Sequence, residues 1–124
     1  MRWSRLRPIR STARPWRPGC FRSSAAAIFD AVNLLTPARI ETQAALWDEA
    51  LAAFGPDIAA VHVKDAVVKD GALAPALLGE GVMCYDNIMR WLAQHKPGVA
   101  LLREEIAPET AARDLAVMRA WAGR

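Results

Sequence analysis

The segment Ile58-Ala-Ala-Val-His-Val-Lys-Asp65 decides the fold class of this chain. Its first six residues contain only apolar side chains and one histidine, without alternation of polar and apolar positions. A run of this kind is typical of a strand buried on both faces, as in a parallel sheet that helices cover. The polar pair Lys64-Asp65 follows at once. We therefore predict a buried parallel strand over 58–63 with polar groups at its carboxyl end.

Two further strands are predicted on either side of this segment. The short apolar run 25–30 ends in Asp30, and the run 99–102 leads into Arg103-Glu104-Glu105. Both therefore repeat the pattern of an apolar run followed by charged residues. Three strands of this type, separated by longer segments, are typical of a parallel sheet.

Helices are predicted between and after the strands. The first begins at Thr36-Pro37, an N-cap residue followed by proline at the first helical position, and ends at Gly55-Pro56. A second surrounds 88–92, after a loop rich in glycine and charge, and a third begins at Pro108. The order strand, helix, repeated three times, predicts an α/β fold with right-handed crossovers.

Composition limits the class of protein. The chain has 124 residues, of which 53% are hydrophobic and 23% charged, as expected of one globular domain. No apolar run approaches the ~18–20 residues that cross a bilayer, which excludes an integral membrane protein. The only two cysteines match no paired metal-binding spacing. Because the sequence also shows no apolar segment of the kind found in a secretory signal peptide, we expect a cytoplasmic protein.

The basic character belongs to the amino-terminal segment. Residues 1–27 contain seven arginines and no acid, a charge of +7, whereas residues 28–124 sum to −4 within the net charge of +3. Prolines interrupt residues 1–24, so we predict a disordered basic tail there and a folded domain over 25–124. The tail is an inert extension, a targeting segment, or a contact for nucleic acid or anionic lipid. The inert extension is favoured over the other two, and nucleic acid is a disfavoured partner.

Ionisable residues recur at the carboxyl ends of the three predicted strands, where parallel α/β folds place their sites. Asp30, His62 and Glu104 together provide oxygen and nitrogen ligands that suit a divalent metal. Each also has a structural explanation. Asp30 could cap a loop, His62 could be a core histidine, and Glu104-Glu105 could be a solvated pair before a helix. Their recurrence at the same place in three successive units favours the metal site.

Four motifs in the same chain indicate a family. They are Phe29-Asp-Ala-Val-Asn-Leu-Leu35, Val61-His-Val-Lys-Asp65, Leu78-Gly-Glu-Gly81 and Leu101-Leu-Arg-Glu-Glu105. Together they resemble the C-terminal part of the sugar phosphate isomerase/epimerase family, the xylose-isomerase-like TIM barrels. The resemblance covers residues 26–122. It implies that the chain forms part of a (β/α)8 barrel, with three strand–helix units similar to strands six to eight.

The resemblance also implies a ligand set and a reaction. Asp30, His62 and Glu104 would bind one divalent ion (Mn, Mg, Co or Zn), with Glu105 as the alternative to Glu104. The family isomerises or epimerises sugars through an enediolate, by moving a proton next to a carbonyl. Glu104 would be one of the two carboxylates that move this proton.

Three further residues would contact the substrate, a sugar or sugar phosphate. Asn33 would hold the substrate or the surroundings of the metal, and Lys64 would face hydroxyl or phosphate oxygens. Glu80 would lie in a tight loop, made possible by Gly79 and Gly81, at the mouth of the barrel.

A complete barrel has eight strands and typically ~250 residues. We therefore expect this chain to be a fragment that is inactive alone, with a second copy or a complementing chain as partner. One alternative is a non-catalytic α/β module whose basic tail contacts nucleic acid or an acidic surface. Another is an endonuclease of the same barrel superfamily acting at abasic sites, which would need a histidine-rich zinc cluster. The chain has only two histidines.

Overall fold

A computed structural model describes residues 26–104 and 106–123, which form a mixed α/β fold with a parallel sheet. The strands are β1 (Ala27–Asp30), β2 (Ile58–Val63), β3 (Asp65–Lys69), β4 (Ala72–Ala76) and β5 (Ala100–Arg103). The α-helices are α1 (Ala31–Leu34), α2 (Gln43–Phe54), α3 (Asp86–His95) and α4 (Ala111–Ala122). The predicted tail over 1–24 and Glu105 lie outside the described residues.

The main sheet has the order β1-β2-β5, and both pairs of neighbouring strands are parallel. The predicted parallel α/β arrangement is thereby confirmed. Asp30 on β1 pairs with His62 on β2, which in turn pairs with Leu102 on β5. Paired residues of neighbouring strands project to the same face of a sheet, so this register sets which polar groups meet.

One face of the main sheet packs against the helices. Phe29, Val61 and Val63 are buried there, and the Phe29 ring meets Trp47 of α2 edge-on at 6.4 Å. The other face is more open, since Ile28 and Leu102 are 58% and 44% exposed. The expectation that β2 is covered on both faces is therefore wrong for the described residues. On that side β2 carries Ala60 and His62, which are only partly buried, so its missing polar–apolar alternation does not indicate a second covering layer.

The glycine-rich segment after β2 is not the loop that was expected. Residues 65–76 form an antiparallel hairpin of β3 and β4, joined through Asp70-Gly71. Both turn residues have positive φ, 51° and 77°. This combination is typical of a two-residue hairpin turn, for which Asp-Gly is a strong local signal. The hydrophobic periodicity of 66–69 and 72–76 is too weak to predict the strands, and the Asp-Gly dipeptide is the one local feature that could have predicted the hairpin.

Two helices begin later than predicted. Residues Pro37–Thr42 form a 3-10 helix, and the regular α-helix starts only at Gln43. Likewise α4 starts at Ala111, because Pro108 lies in a preceding turn whose Thr110 N–H donates to the Ala107 carbonyl. None of the helices in the described part of the chain is long and apolar enough to cross a bilayer.

Candidate metal centre

Three strand ends bring Asp30, His62 and Glu104 together on the open face of the main sheet. Asp30 closes β1, His62 is the next-to-last residue of β2, and Glu104 directly follows β5. One potential ligand atom from each lies within 4.8 Å of the other two. The predicted convergence of Asp30, His62 and Glu104 is therefore confirmed, whereas the alternative residue Glu105 lies outside the described residues.

Asp30 has two distinct oxygens. Its Oδ1 accepts a hydrogen bond of 3.3 Å from the Asn33 N–H, so the side chain is the N-cap of α1. Its Oδ2 points to His62 Nδ1 at 3.5 Å. The capping bond fixes the carboxylate and leaves Oδ2 as the oxygen directed into the site. The capping role considered from the sequence and the site role therefore coexist in one side chain.

Lys64 lies among the three candidate ligands. Its Nζ is 2.7 Å from Asp30 Oδ2 and also contacts Glu104 Oε2. The other oxygen of Glu104, Oε1, is 3.0 Å from His62 Nδ1. Hydrogen bonds to Asp30 and then Glu104 raise the pKa of the Lys64 amine above its ordinary value. The two carboxylates are thus bridged by a protonated amine.

The donor set fits a divalent cation. It consists of one imidazole nitrogen and two carboxylates, a mixture that suits Mn²⁺, Mg²⁺, Co²⁺ or Zn²⁺. Ligand atoms that bind one such ion at about 2.1 Å lie roughly 3–4 Å apart, so the observed spread within 4.8 Å needs only small rotations. The ammonium group of Lys64 between Asp30 and Glu104 shows that this position attracts positive charge. The residues therefore fit a divalent ion.

Tyr85 holds the backbone beside the site, which the sequence did not indicate. Its hydroxyl donates to the Lys64 carbonyl at 2.7 Å and accepts from the Lys64 N–H at 3.0 Å. Its ring stacks on Trp121 of α4 at 4.8 Å. Burial raises the pKa of the Tyr85 hydroxyl well above its ordinary value. A neutral phenol therefore fixes the chain two residues after His62.

Asp65, the second polar residue after β2, has a structural role. It is only 3% exposed, and its carboxylate accepts four backbone N–H groups. These donors belong to Ala66, Gly79, Gly81 and Met83. A Cβ on Gly81 would collide with Asp65 Oδ1 and the Ala66 carbonyl, so only glycine fits there. The Gly-Glu-Gly motif thus serves to wrap the chain around a buried carboxylate.

The predicted substrate residues are divided between two places. Asn33, Lys64 and Glu104 line a cavity of about 550 Å³, whose opposite wall is the apolar segment 73–77. Glu80 does not line this cavity, and its Oε1 accepts instead from Arg113 Nη2 at 3.0 Å. The substrate roles of Asn33, Lys64 and Glu80 stay predictions. For Asn33 and Lys64, the cavity offers space for a ligand.

Arg103 adds a cation to the same cavity. Its Nε donates to Oδ2 of the fully buried Asp114 at 3.1 Å, and its Nη1 donates to the Glu104 carbonyl at 3.0 Å. The arginine therefore links α4 to the backbone of the third candidate ligand. Arg103 is the last residue of β5 and Glu104 follows it directly, and no local signal in the sequence revealed the connection to Asp114.

The chain was compared with protein-family models, curated proteins and solved structures, and none of them matches it.

Proposed function

We propose that this chain belongs to a metal-dependent sugar or sugar phosphate isomerase/epimerase of the xylose-isomerase-like TIM barrel type. In this proposal β1, β2 and β5 correspond to strands six to eight of the barrel. Asp30, His62 and Glu104 hold one divalent ion, and the cavity beside Lys64 receives the substrate. The single observation that carries the proposal is the convergence of these three ligands from three parallel strand ends.

The ion, when bound, would act as a Lewis acid toward the substrate oxygens. In this proposal Glu104 accepts and returns the proton next to the carbonyl, which is supported by its position in the lining of the cavity. Lys64 and Asn33 line the same cavity and offer N–H donors for substrate hydroxyl or phosphate oxygens. His62 and Asp30 lie outside its lining and serve as ligands alone in this proposal.

The experiment that tests the proposal is a titration of the purified full chain with Mn²⁺. The electron paramagnetic resonance signal of free Mn²⁺ measures how much of the ion is bound. We expect one ion per chain, and a loss of affinity of about tenfold or more in Asp30→Asn and His62→Gln, since removing a ligand commonly costs at least that much. Glu41→Gln is the matched control, because Glu41 is an exposed acid on the 3-10 helix. Stoichiometric binding that survives both ligand variants would contradict the proposal.

The same purified chain and variants can distinguish the proposal from the alternative of a non-catalytic module with a nucleic-acid-binding tail. Such a module would bind an oligonucleotide with strong salt dependence and lose that binding when residues 1–24 are deleted. It would show no Mn²⁺ binding that depends on His62. The zinc-cluster alternative finds less support, because among the described residues His62 is the only histidine in a cluster that could hold a metal.

A further inference from the structure

We propose that Lys64 competes with the divalent ion for the carboxylates of Asp30 and Glu104, so that cation binding moves the Lys64 amine off them and toward the cavity. This inference rests on the proposed cation site. It assigns to Lys64 a control of metal affinity, in addition to the substrate contact expected for it.

The geometry identifies the contested atom. Asp30 Oδ1 is occupied by the N-capping bond from Asn33, so only Oδ2 is directed to the site. This same Oδ2 contacts Lys64 Nζ at 2.7 Å and faces His62 Nδ1 at 3.5 Å. A cation shared by Asp30 and His62 through these two atoms would bind the oxygen that the ammonium group already contacts.

The charges make simultaneous occupancy unfavourable. The two carboxylates carry −2, which one ammonium group reduces to −1 and one divalent ion reduces to zero. With both present, the group would become +1, and the two cations would repel each other at a few ångströms. Lys64 has room to leave, since it lines the cavity of about 550 Å³ and its backbone is held independently by Tyr85.

A prediction for binding follows from this competition. Lys64→Met, which keeps the length of the side chain without the charge, should bind Mn²⁺ tighter than the unaltered chain by about tenfold or more. Lys64→Gln should tighten binding in the same direction. Lys64→Arg, which keeps the charge, should bind like the unaltered chain or more weakly. Lys69→Met is the control for net charge, because Lys69 is exposed and lies five residues further along the hairpin.

A second measurement uses only the unaltered chain and therefore does not depend on the folding of a variant. The Lys64 amine is acylated with a water-soluble ester, and the modification is quantified by mass spectrometry with and without saturating Mn²⁺. Mn²⁺ should increase the labelling of Lys64 relative to that of Lys69. Labelling that stays the same or decreases in Mn²⁺ would overturn the inference.

The outcomes separate this inference from the proposed function. If the unaltered chain binds Mn²⁺ but Lys64→Met binds equally or more weakly, the competition is wrong and the cation site stands. Equal tightening by Lys69→Met would also overturn it, because the effect would then be one of net charge. If no form binds Mn²⁺, both the site and the competition are wrong.

Discussion

The Tyr85 hydroxyl makes both of its hydrogen bonds to the backbone of one residue, Lys64. The aromatic ring behind this hydroxyl stacks on Trp121 of α4. One side chain thus connects a helix to the carboxyl end of β2, where His62 projects into the candidate metal centre. The position of the site depends on this buried polar contact as well as on the sheet register.

Tyr85→Phe should lower the free energy of unfolding by about 1–3 kcal/mol, because it leaves the Lys64 N–H and carbonyl without their partner. Phenylalanine keeps the stacking on Trp121, so the change reports on the hydroxyl. Urea unfolding at pH 7 measures the effect. Cys84→Ser is the matched control, since Cys84 is the exposed neighbour and should leave the midpoint unchanged. Equal midpoints for Tyr85→Phe and the unaltered chain would contradict the hydrogen bonds.

Alkaline pH should destabilise the fold. Burial raises the pKa of Tyr85, and hydrogen bonds to Asp30 and Glu104 raise that of Lys64. A group with a raised folded-state pKa stabilises the fold fully below its unfolded pKa, about 10 for both residue types. That contribution is lost as the pH rises toward the folded-state pKa. Urea unfolding between pH 8 and 11 should therefore show falling stability above about pH 10.

Two variants identify the groups responsible for this loss. The decline should be shallower in Tyr85→Phe, which has no phenol to ionise, and in Lys64→Met, which has no amine. If the stability of both variants falls with pH as steeply as that of the unaltered chain, neither group is responsible.

At the scale of elements, the hairpin and the loop that follows it are joined through one carboxylate. Asp65 begins β3 and accepts the N–H groups of Ala66, Gly79, Gly81 and Met83. The Val82 N–H adds a bond of 2.8 Å to the Ala66 carbonyl. The segment 79–83 is thereby held along the start of the hairpin, which forms one wall of the cavity.

Asp65→Asn should destabilise the chain by about 2–4 kcal/mol, because its amide NH₂ would face two backbone N–H groups in place of an accepting oxygen. Asp70→Asn is a matched control on the same hairpin. Asp70 has a φ of 51°, a conformation that asparagine adopts at least as readily. Thermal unfolding followed by circular dichroism compares the two. A loss of stability in Asp70→Asn as large as in Asp65→Asn would contradict this role.

At the scale of the whole molecule, the described sheet has β1 and β5 as its edge strands and an open face between them. Ile28 and Leu102 expose more than two fifths of their surface on that face. Unpaired strand edges next to exposed apolar side chains favour association with another chain. The expected partner, a second copy or a complementing chain, would cover this surface.

We expect the purified chain to associate as its concentration increases, and Leu102→Gln to weaken that association. Sedimentation velocity over a hundredfold range of concentration measures it. Leu115→Gln is the matched control, because Leu115 is similarly exposed, at 48%, but lies on α4. A chain that remains monomeric throughout, or a control that weakens association equally, would contradict the prediction.

Sequence reasoning found the three parallel strands and the three candidate ligands for one physical reason. The carboxyl ends of parallel strands meet at one edge of a sheet, so polar residues ending three apolar runs must lie near each other. Asp30, His62 and Glu104 could therefore be grouped without coordinates. The Asp70-Gly71 turn is an equally local signal and could have predicted the hairpin. The glycine and charged residues of the segment instead led to the prediction of a loop.

The sequence by itself determined the α/β class, the parallel order of β1, β2 and β5, and the edge at which the candidate ligands meet. Only the tertiary structure decided how each polar group is satisfied there. Lys64 bridges Asp30 and Glu104, and the Tyr85 hydroxyl holds the Lys64 backbone across 21 residues of sequence. Hydrophobic periodicity and secondary-structure propensity describe residues that are neighbours along the chain. The contacts of Lys64 and Tyr85 join groups that only the packing of distant elements brings within hydrogen-bonding distance.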